Sequence, residues 1–454
     1  MPAYEAYRDG DVAAAADISS AIYSEHYDSN SRVVFALDNG TMLRDAGHFQ
    51  QAFDVLEQAE ATLKIGYDQR SAMNATAVGE AAASVLINQK SLAYTGTVYD
   101  RVLLNTYKAL AQLELGQLDY ALVEARRIDQ AQQLAEKLFR EDYEALKSSS
   151  TESGYDVDVD KLYKHEGFVK QYRNLFKDSG VDDFQNPFST FVIGLLRRIS
   201  PNNGEDPTYD FNWLHERLPN NIYIEQELAA IKDRQSADGT IYVIFENGRG
   251  PSLAEELIVI PTGVFKYYSG SSYRWYDDDY LALPKFVPGR KSANALEVVS
   301  GAANRATTMM IADMNQIALH EFQARFPSIL KREIVSAAVK GVAFNVLQSA
   351  SEELVDSDDG GEIAAGIILG IGGILAERAI AQADDRSWKS IACNYQIARL
   401  DRKEVKSVQL KLIGGNASST VELPDKSIVV IIVRSVNSSH LNARVYGFGN
   451  PTMK

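Results

Sequence analysis

Six histidines, 61 acidic residues and a single cysteine are the raw material for chemistry in this 454-residue chain. Two histidines are followed directly by glutamate, in "HEGFV" at His165 and "HEFQA" at His320, which opens a zinc-protease motif. That motif needs a second histidine four residues on, one helical turn away, so that both imidazoles reach the same metal. Both segments lack it, and surface histidines are expected instead. Asp156, Asp158 and Asp160 are spaced like the start of a calcium loop. The loop then requires glycine at its sixth position and glutamate at its twelfth. Lys161 and Gly167 stand there, so a solvated acidic loop is expected. Asp277, Asp278 and Asp279 form a similar acidic tip.

Nucleophile and phosphate chemistry fare no better. The chain has no G-x-S-x-G elbow and no G-x-x-x-x-G-K-[ST] loop. "GIGGIL" has Leu375 at its sixth position and lies inside an apolar segment, so it is not a dinucleotide fingerprint. "ENGRGPS" could offer backbone N–H groups to an anion, but a hairpin turn at Asn247 and Gly248 is the simpler expectation. Cys393 sits in the apolar "SIACNYQI" and reads as a buried, inert thiol. No catalytic residue, cofactor or metal ligand is therefore expected, and the chain reads as a non-enzyme.

The net charge of −15 disfavours binding to a phosphate backbone, so nucleic acid is excluded as a partner class. With 45% hydrophobic and 24% charged residues the chain reads as globular. Its length calls for two or three domains. The opening "MPAYEAYRDG" has neither the basic start nor the apolar core of a secretory leader.

What could position a binding surface is clearest in residues 1–145, which carry helical spacing rich in Ala, Leu and Glu. "AGHFQQAFDVLEQAE" has Gly47, Phe49, Ala52, Leu56 and Ala59, the second-helix pattern of a tetratricopeptide (TPR) repeat. "LGQLDYALVEA" repeats it with Gly116, Leu118, Ala121 and Ala125, and "DGDVAAAADIS" more weakly with Gly10, Val12 and Ala15. The glycines recur after 37 and then 69 residues, which leaves room for one degenerate repeat. In TPR geometry the first helix of each pair lines a concave groove, which makes Thr41, Arg44 and Thr106 the candidate partner contacts.

A linker with further helices is expected over 146–238, including a helix opened by Asn-Pro in "NPFSTFVIGLLRRIS". Residues 239–454 read as an α+β domain with strands in 239–288 and 388–450 and a helical insertion over 293–383. "SVQLKLI" alternates like a strand with one wet face, and "SIVVIIVRSV" is a strand covered on both faces. Within the insertion, the uncharged run Ile363 to Ala376 is 14 residues long, short of the ~20 that a membrane span needs. Gly366, Gly370 and Gly373 share one helical face there and would allow close packing against another helix. The expected fold class is α+β, mainly α: a TPR-like α-solenoid followed by a mixed β-rich domain with an inserted helical hairpin.

The ordered set "YTGTVYDRVLLNTYKALAQLELGQLDYALVEARR", "NPFSTFVIGLL", "YVIFENGRGPSLAEE", "LALPKFVP" and "ADDRSW" resembles a family of TPR-containing bacterial envelope proteins of the lipoprotein class. Glu246, Asn247, Gly248, Asp384, Arg386 and Trp388 match its recurring positions, where they would stabilise turns and domain junctions or bind a partner. The family has no catalytic residues to carry over. The resemblance implies a non-enzymatic scaffold in the periplasm or at the outer membrane of a Gram-negative bacterium, with a cytoplasmic location as the alternative. Its partner would be a protein or peptide. A homo-oligomeric structural component using the glycine-rich helix 361–380, with membrane association, is the first rival reading, and a cell-wall-active enzyme the second.

Overall fold

The computed structural model describes residues 2–74, 93–152, 172, 185–200, 205–260, 279–301, 304–327, 329–330, 333, 382–402 and 405–451. The fold is α+β. Among the described residues six helices come first: α1 (Pro2–Asp9), α2 (Val12–Glu25), α3 (Arg32–Asp45), α4 (Phe49–Asn74), α5 (Val98–Glu114) and α6 (Leu118–Glu152). Each packs on the next in chain order. Three more follow, α7 (Pro187–Ile199), α8 (Thr208–Arg217) and α9 (Ile222–Lys232), and α7 lies against α6. The expected Asn-Pro start is present, with Asn186 accepting from the Phe188 amide and Pro187 in the first turn of α7.

The expected repeat pattern has a local physical cause. Gly10, Gly47 and Gly116 all have φ between +74° and +93°. Each closes the first helix of a pair with the same two bonds, one from the glycine amide to the carbonyl three residues back. The next amide reaches the carbonyl five residues back, as from His48 to Leu43 and from Gln117 to Gln112. Ala15, Ala52 and Ala121, five residues beyond each glycine, are fully buried where the paired helices meet.

Eleven strands are described among these residues: β1 (Thr240–Asn247), β2 (Ser252–Ile260), β3 (Asp279–Val287), β4 (Ala295–Ser300), β5 (Asn304–Thr307), β6 (Met309–Asp313), β7 (Asn394–Asp401), β8 (Ser407–Ile413), β9 (Ser418–Glu422), β10 (Ile428–Ser435) and β11 (Asn442–Phe448). They form a five-stranded sheet in the order β11-β10-β1-β7-β6, a two-stranded ribbon β2-β3 and a four-stranded sheet β5-β4-β8-β9. β1 and β10 run parallel at the centre, and every residue of both is buried. β8 alternates exposed and buried residues along its length, as its period-two pattern requires.

Three expectations are corrected. Residues 295–300 and 304–313 are not helical: β4, β5 and β6 occupy them, and "EVVS" and "TTMMIAD" are rich in the β-branched residues that favour strands. A helical segment follows over 314–327. Second, β1 and β2 do not form a hairpin about Asn247 and Gly248, because they belong to different sheets. Third, the boundary at 145 does not separate two cores. One buried apolar cluster runs from Val33 in α3 through α5, α7 and β1 to Phe448 in β11.

Among the described residues no helix is long and apolar enough to cross a membrane. Gly366, Gly370 and Gly373, His165 and the Asp156–Asp160 triplet lie outside the described residues.

Gly116 and Gly248 provide a contrast that tests this turn geometry. A Cβ on Gly116 meets nothing within 4 Å, whereas one on Gly248 would sit 2.1 Å from the Arg290 carbonyl oxygen. Gly116→Ala should cost about 1 kcal/mol from backbone strain alone. Gly248→Ala should add overpacking and cost on the order of 3 kcal/mol. Urea unfolding midpoints of the two variants, measured side by side, check the ordering.

Candidate functional site: a buried ionic junction

A cluster of fully buried titratable groups meets where the helix ends abut the central sheet. Asp45 and Glu114 occupy the same place in successive repeats, two residues before the turn glycine. Arg44 and Tyr7 sit three residues before theirs. The identical turn geometry therefore delivers these side chains to one region. Opposite them, the sheet contributes Glu246 from the end of β1 and Arg434, its direct neighbour across the ladder on β10. Arg444 comes from β11.

The bonding is dense. Arg44 donates from Nε to Glu114 Oε2 at 2.6 Å and from Nη1 to Glu246 Oε1 at 2.8 Å. Its guanidinium also lies over the Tyr107 ring. Arg434 donates from Nε to Asp45 Oδ2 at 3.0 Å and from Nη1 to the carbonyl oxygens of Glu246 and Gly248. Its Nη2 reaches the Ser390 carbonyl at 3.0 Å and the Tyr7 hydroxyl at 2.8 Å, and that hydroxyl in turn donates to Asp45. Arg444 donates from Nε to Glu114 Oε1 at 2.9 Å. Three arginines thus face three carboxylates, and the side chains of Arg44, Arg434, Glu114 and Glu246 have no solvent exposure.

The balance of charge decides what the cluster can do. Desolvation pushes the Asp45 carboxyl up, but Arg434, Arg444 and Arg44 overcome it and hold it below the usual carboxylate range. At Glu246 burial wins over Arg44, and the carboxyl is pushed up. Glu246 Oε2 accepts no hydrogen bond among the described residues, consistent with that direction. Each charge is committed to an opposite charge within the chain. The arrangement fixes the relative position of helices and sheet.

A second polar layer pins the strand end. Asn247, fully buried, accepts from the Ser292 and Ala293 amides and the Ser292 hydroxyl, and it donates to the Ala293 carbonyl at 2.8 Å and to Asn394 Oδ1 at 3.2 Å. Gly248 then turns the chain into a space that only a residue without Cβ can enter. Cys393, expected to be inert, is buried, and burial pushes its thiol up to about 11.

The candidate partner contacts are corrected by this geometry. Thr41, Arg44 and Thr106 are fully buried, so none lines an open groove. The face that TPR geometry would leave concave and open is covered by the chain itself, through the extended segment 382–393, the end of β1 and α7. Thr41 accepts from Trp388 Nε1 at 2.9 Å, Arg44 pairs with Glu246, and Thr106 donates to Ser189 on α7 at 2.8 Å. Two residues singled out for their place in the repeats thus touch two singled out from the family motifs. Asp384 and Arg386 pair with each other, and Arg386 donates to the Asn30 carbonyl at 3.1 Å.

The sequence reading missed Asp45, Glu114, Arg434, Arg444, Tyr7 and Asp38. One signal was present: Arg434 follows six apolar residues in a strand read as covered on both faces, so it had to meet an acid. Among the described residues no group of three or more His, Cys, Asp or Glu could hold a metal ion. No protein-family model, no curated protein and no solved structure matches the chain.

Removing one partner from this cluster leaves an uncompensated buried charge. Arg44→Met should destabilise by about 3–5 kcal/mol. Adding Glu246→Gln removes the stranded carboxylate and should recover more than about 1 kcal/mol, a coupling measurable by a double-mutant cycle in urea.

Asp38 gives a pH test. Burial pushes its carboxyl up to about 6, against the Ser390 hydroxyl and amide that donate to it and the nearby Lys389. The Tyr4 hydroxyl also faces it. A raised folded pKa means that stability is lost as pH rises toward 6 and fully present below the unfolded value near 4. Asp38→Asn keeps an oxygen acceptor and should remove this component. The difference in Tm between wild type and Asp38→Asn should therefore shift in favour of wild type as pH falls from 7 to 4.

Proposed function

We propose that this chain is a non-enzymatic scaffold of the bacterial cell envelope that binds a protein or peptide partner on a TPR-like layer of paired helices. The observation that carries the reading is the repeated hairpin: three glycine turns of one geometry, each followed by a fully buried alanine five residues later. Helix pairs of this kind stack into extended surfaces whose usual role is recognition. The family resemblance supplies the envelope location and the partner class. The ionic junction supports a structural use of the perturbed carboxylates, since each faces an arginine of the same chain.

With the inner side of α3 and α5 enclosed by the chain itself, partner recognition falls to surfaces that remain open on the layer. The outer side of α6 is one: Tyr120, Val123 and Leu134 recur at helical spacing and are exposed, Tyr120 by 63%. In-cell photo-crosslinking is the test, with probes at Tyr120 and Val123 and, as controls, at Ser407 and Lys411 on the wet face of β8. The expected result is one discrete adduct from the helical probes, identified by mass spectrometry in the envelope fraction and absent from the β8 probes. Failure of every helical probe to form an adduct, or turnover of muropeptides by the purified chain, overturns the reading.

A further inference from the structure

Residues 382–393 run as a strap without helix or strand along the inner side of the helical layer. Its side chains alternate as an extended peptide's must. Trp388 is fully buried, with its ring 5.2 Å from that of Tyr107 on α5 and its Nε1 donating to Thr41 on α3. Two residues on, Ser390 donates to Asp38 Oδ1 from its hydroxyl at 2.6 Å and from its amide at 3.0 Å. Two residues back, Arg386 lies over the Tyr94 ring and donates to the Asn30 carbonyl. Arg386 is also held in its extended pose by Asp384. On the far side the strap meets the β2-β3 ribbon through Ser387 Oγ, which accepts from the Leu253 amide, and through the Ala383 amide, which donates to Glu255.

These contacts share one character. α3 and α5 hold the strap through an indole slot with a hydroxyl acceptor and a carboxylate that takes both a hydroxyl and an amide, and the segments leading into them add an aromatic face, Tyr94, beside the Asn30 carbonyl for a guanidinium. Side chains spaced by two supply the specificity, as the alternate side chains of other extended bound peptides do. We propose that the face built by α1, α3 and α5 is a peptide-reading groove whose resident ligand is the strap. The partner it fits is an extended segment of another protein presenting Asp-x-Arg-x-Trp-x-Ser, which exchanges with the strap. This rests on the scaffold reading and adds to the open outer side of α6 a second, inner site that is reached only when the strap leaves it. Tyr7 and Arg434, both of which donate to the Ser390 carbonyl, link an exchange of the strap to the ionic junction.

The test uses the full chain and a fluorescent peptide corresponding to residues 382–391. A strap variant, Arg386→Ala with Trp388→Ala, removes the two largest side chains that the strap sets against the helical layer. It should bind the peptide at least about tenfold more tightly than wild type does, because the resident strap no longer competes. A peptide carrying Trp388→Ala should bind the variant about thirtyfold more weakly, the loss of one buried aromatic anchor. A folded variant that binds no peptide overturns the proposal.

Native-state hydrogen exchange on the wild-type chain decides the matter even if the variant unfolds. Amides of residues 386–390 should exchange through local opening while those of β7 and β10 stay protected. Strap amides that exchange only with global unfolding overturn the proposal. Adducts from the α6 probes that persist in that case leave the scaffold reading standing and remove only the groove.

Discussion

Three arginines and three carboxylates sealed between helices and sheet constrain everything around them. Taking such groups out of water costs several kcal/mol per ion, and their attraction offsets this only when each finds its partner in good geometry. A shift of one helical turn in α3, or of one residue in β10, would strand at least one charge. The apolar core tolerates small rearrangements of volume, whereas the ionic cluster tolerates almost none. It therefore selects one docking of the helical layer on the sheet out of the several that hydrophobic packing alone would allow.

The source of that selectivity is the repeat itself. A turn with a fixed pattern of backbone bonds places the residues two and three positions before its glycine in equivalent orientations each time. In the first hairpin these are Arg8 and Tyr7, in the second Asp45 and Arg44, in the third Glu114 and Leu113. Three near-identical turns thus yield a graded row in which the Tyr7 phenol, the oppositely charged Arg44 and Asp45, and the Glu114 carboxylate meet partners on the sheet. The parallel pairing of β1 with β10 completes the row, because only that register sets Glu246 beside Arg434.

Much of this architecture is legible in the sequence, and the reasons for the failures are physical. Glycine-centred turns, buried alanines, the Asn-Pro helix start and the two strand types follow from local periodicity and backbone preference, and the structure has them. The strands over 295–300 and 304–313 were hidden because their segments are short and sit in a helix-rich stretch, where local pattern cannot decide between states. Thr41, Arg44 and Thr106 lie on helices that end in, or are followed by, the glycine turns, but all three are buried. Their exposure was misjudged because whether a groove is open depends on contacts more than 100 residues away in sequence, between Arg44 and Glu246 and between Thr41 and Trp388. Arg434, set in a strand covered on both faces, announces that it needs an acid, but which acid it meets is set by pairing across the fold, which leaves no spacing signal along the chain.

The polar side chains on the inner faces of α3 and α5 bear on why these positions carry charge at all. A layer meant only to pack on a sheet would be better served by apolar residues, since replacing buried ion pairs with well-packed hydrophobes is often neutral or stabilising. Asp38, Thr41 and Arg44 instead keep acceptors and donors aimed at backbone and side chains of segments far away in sequence. That is the chemistry of recognition, applied here within one chain. Whatever its net stabilisation, it ties the helical layer to one strap and one strand end, so that a change at either is felt at the other.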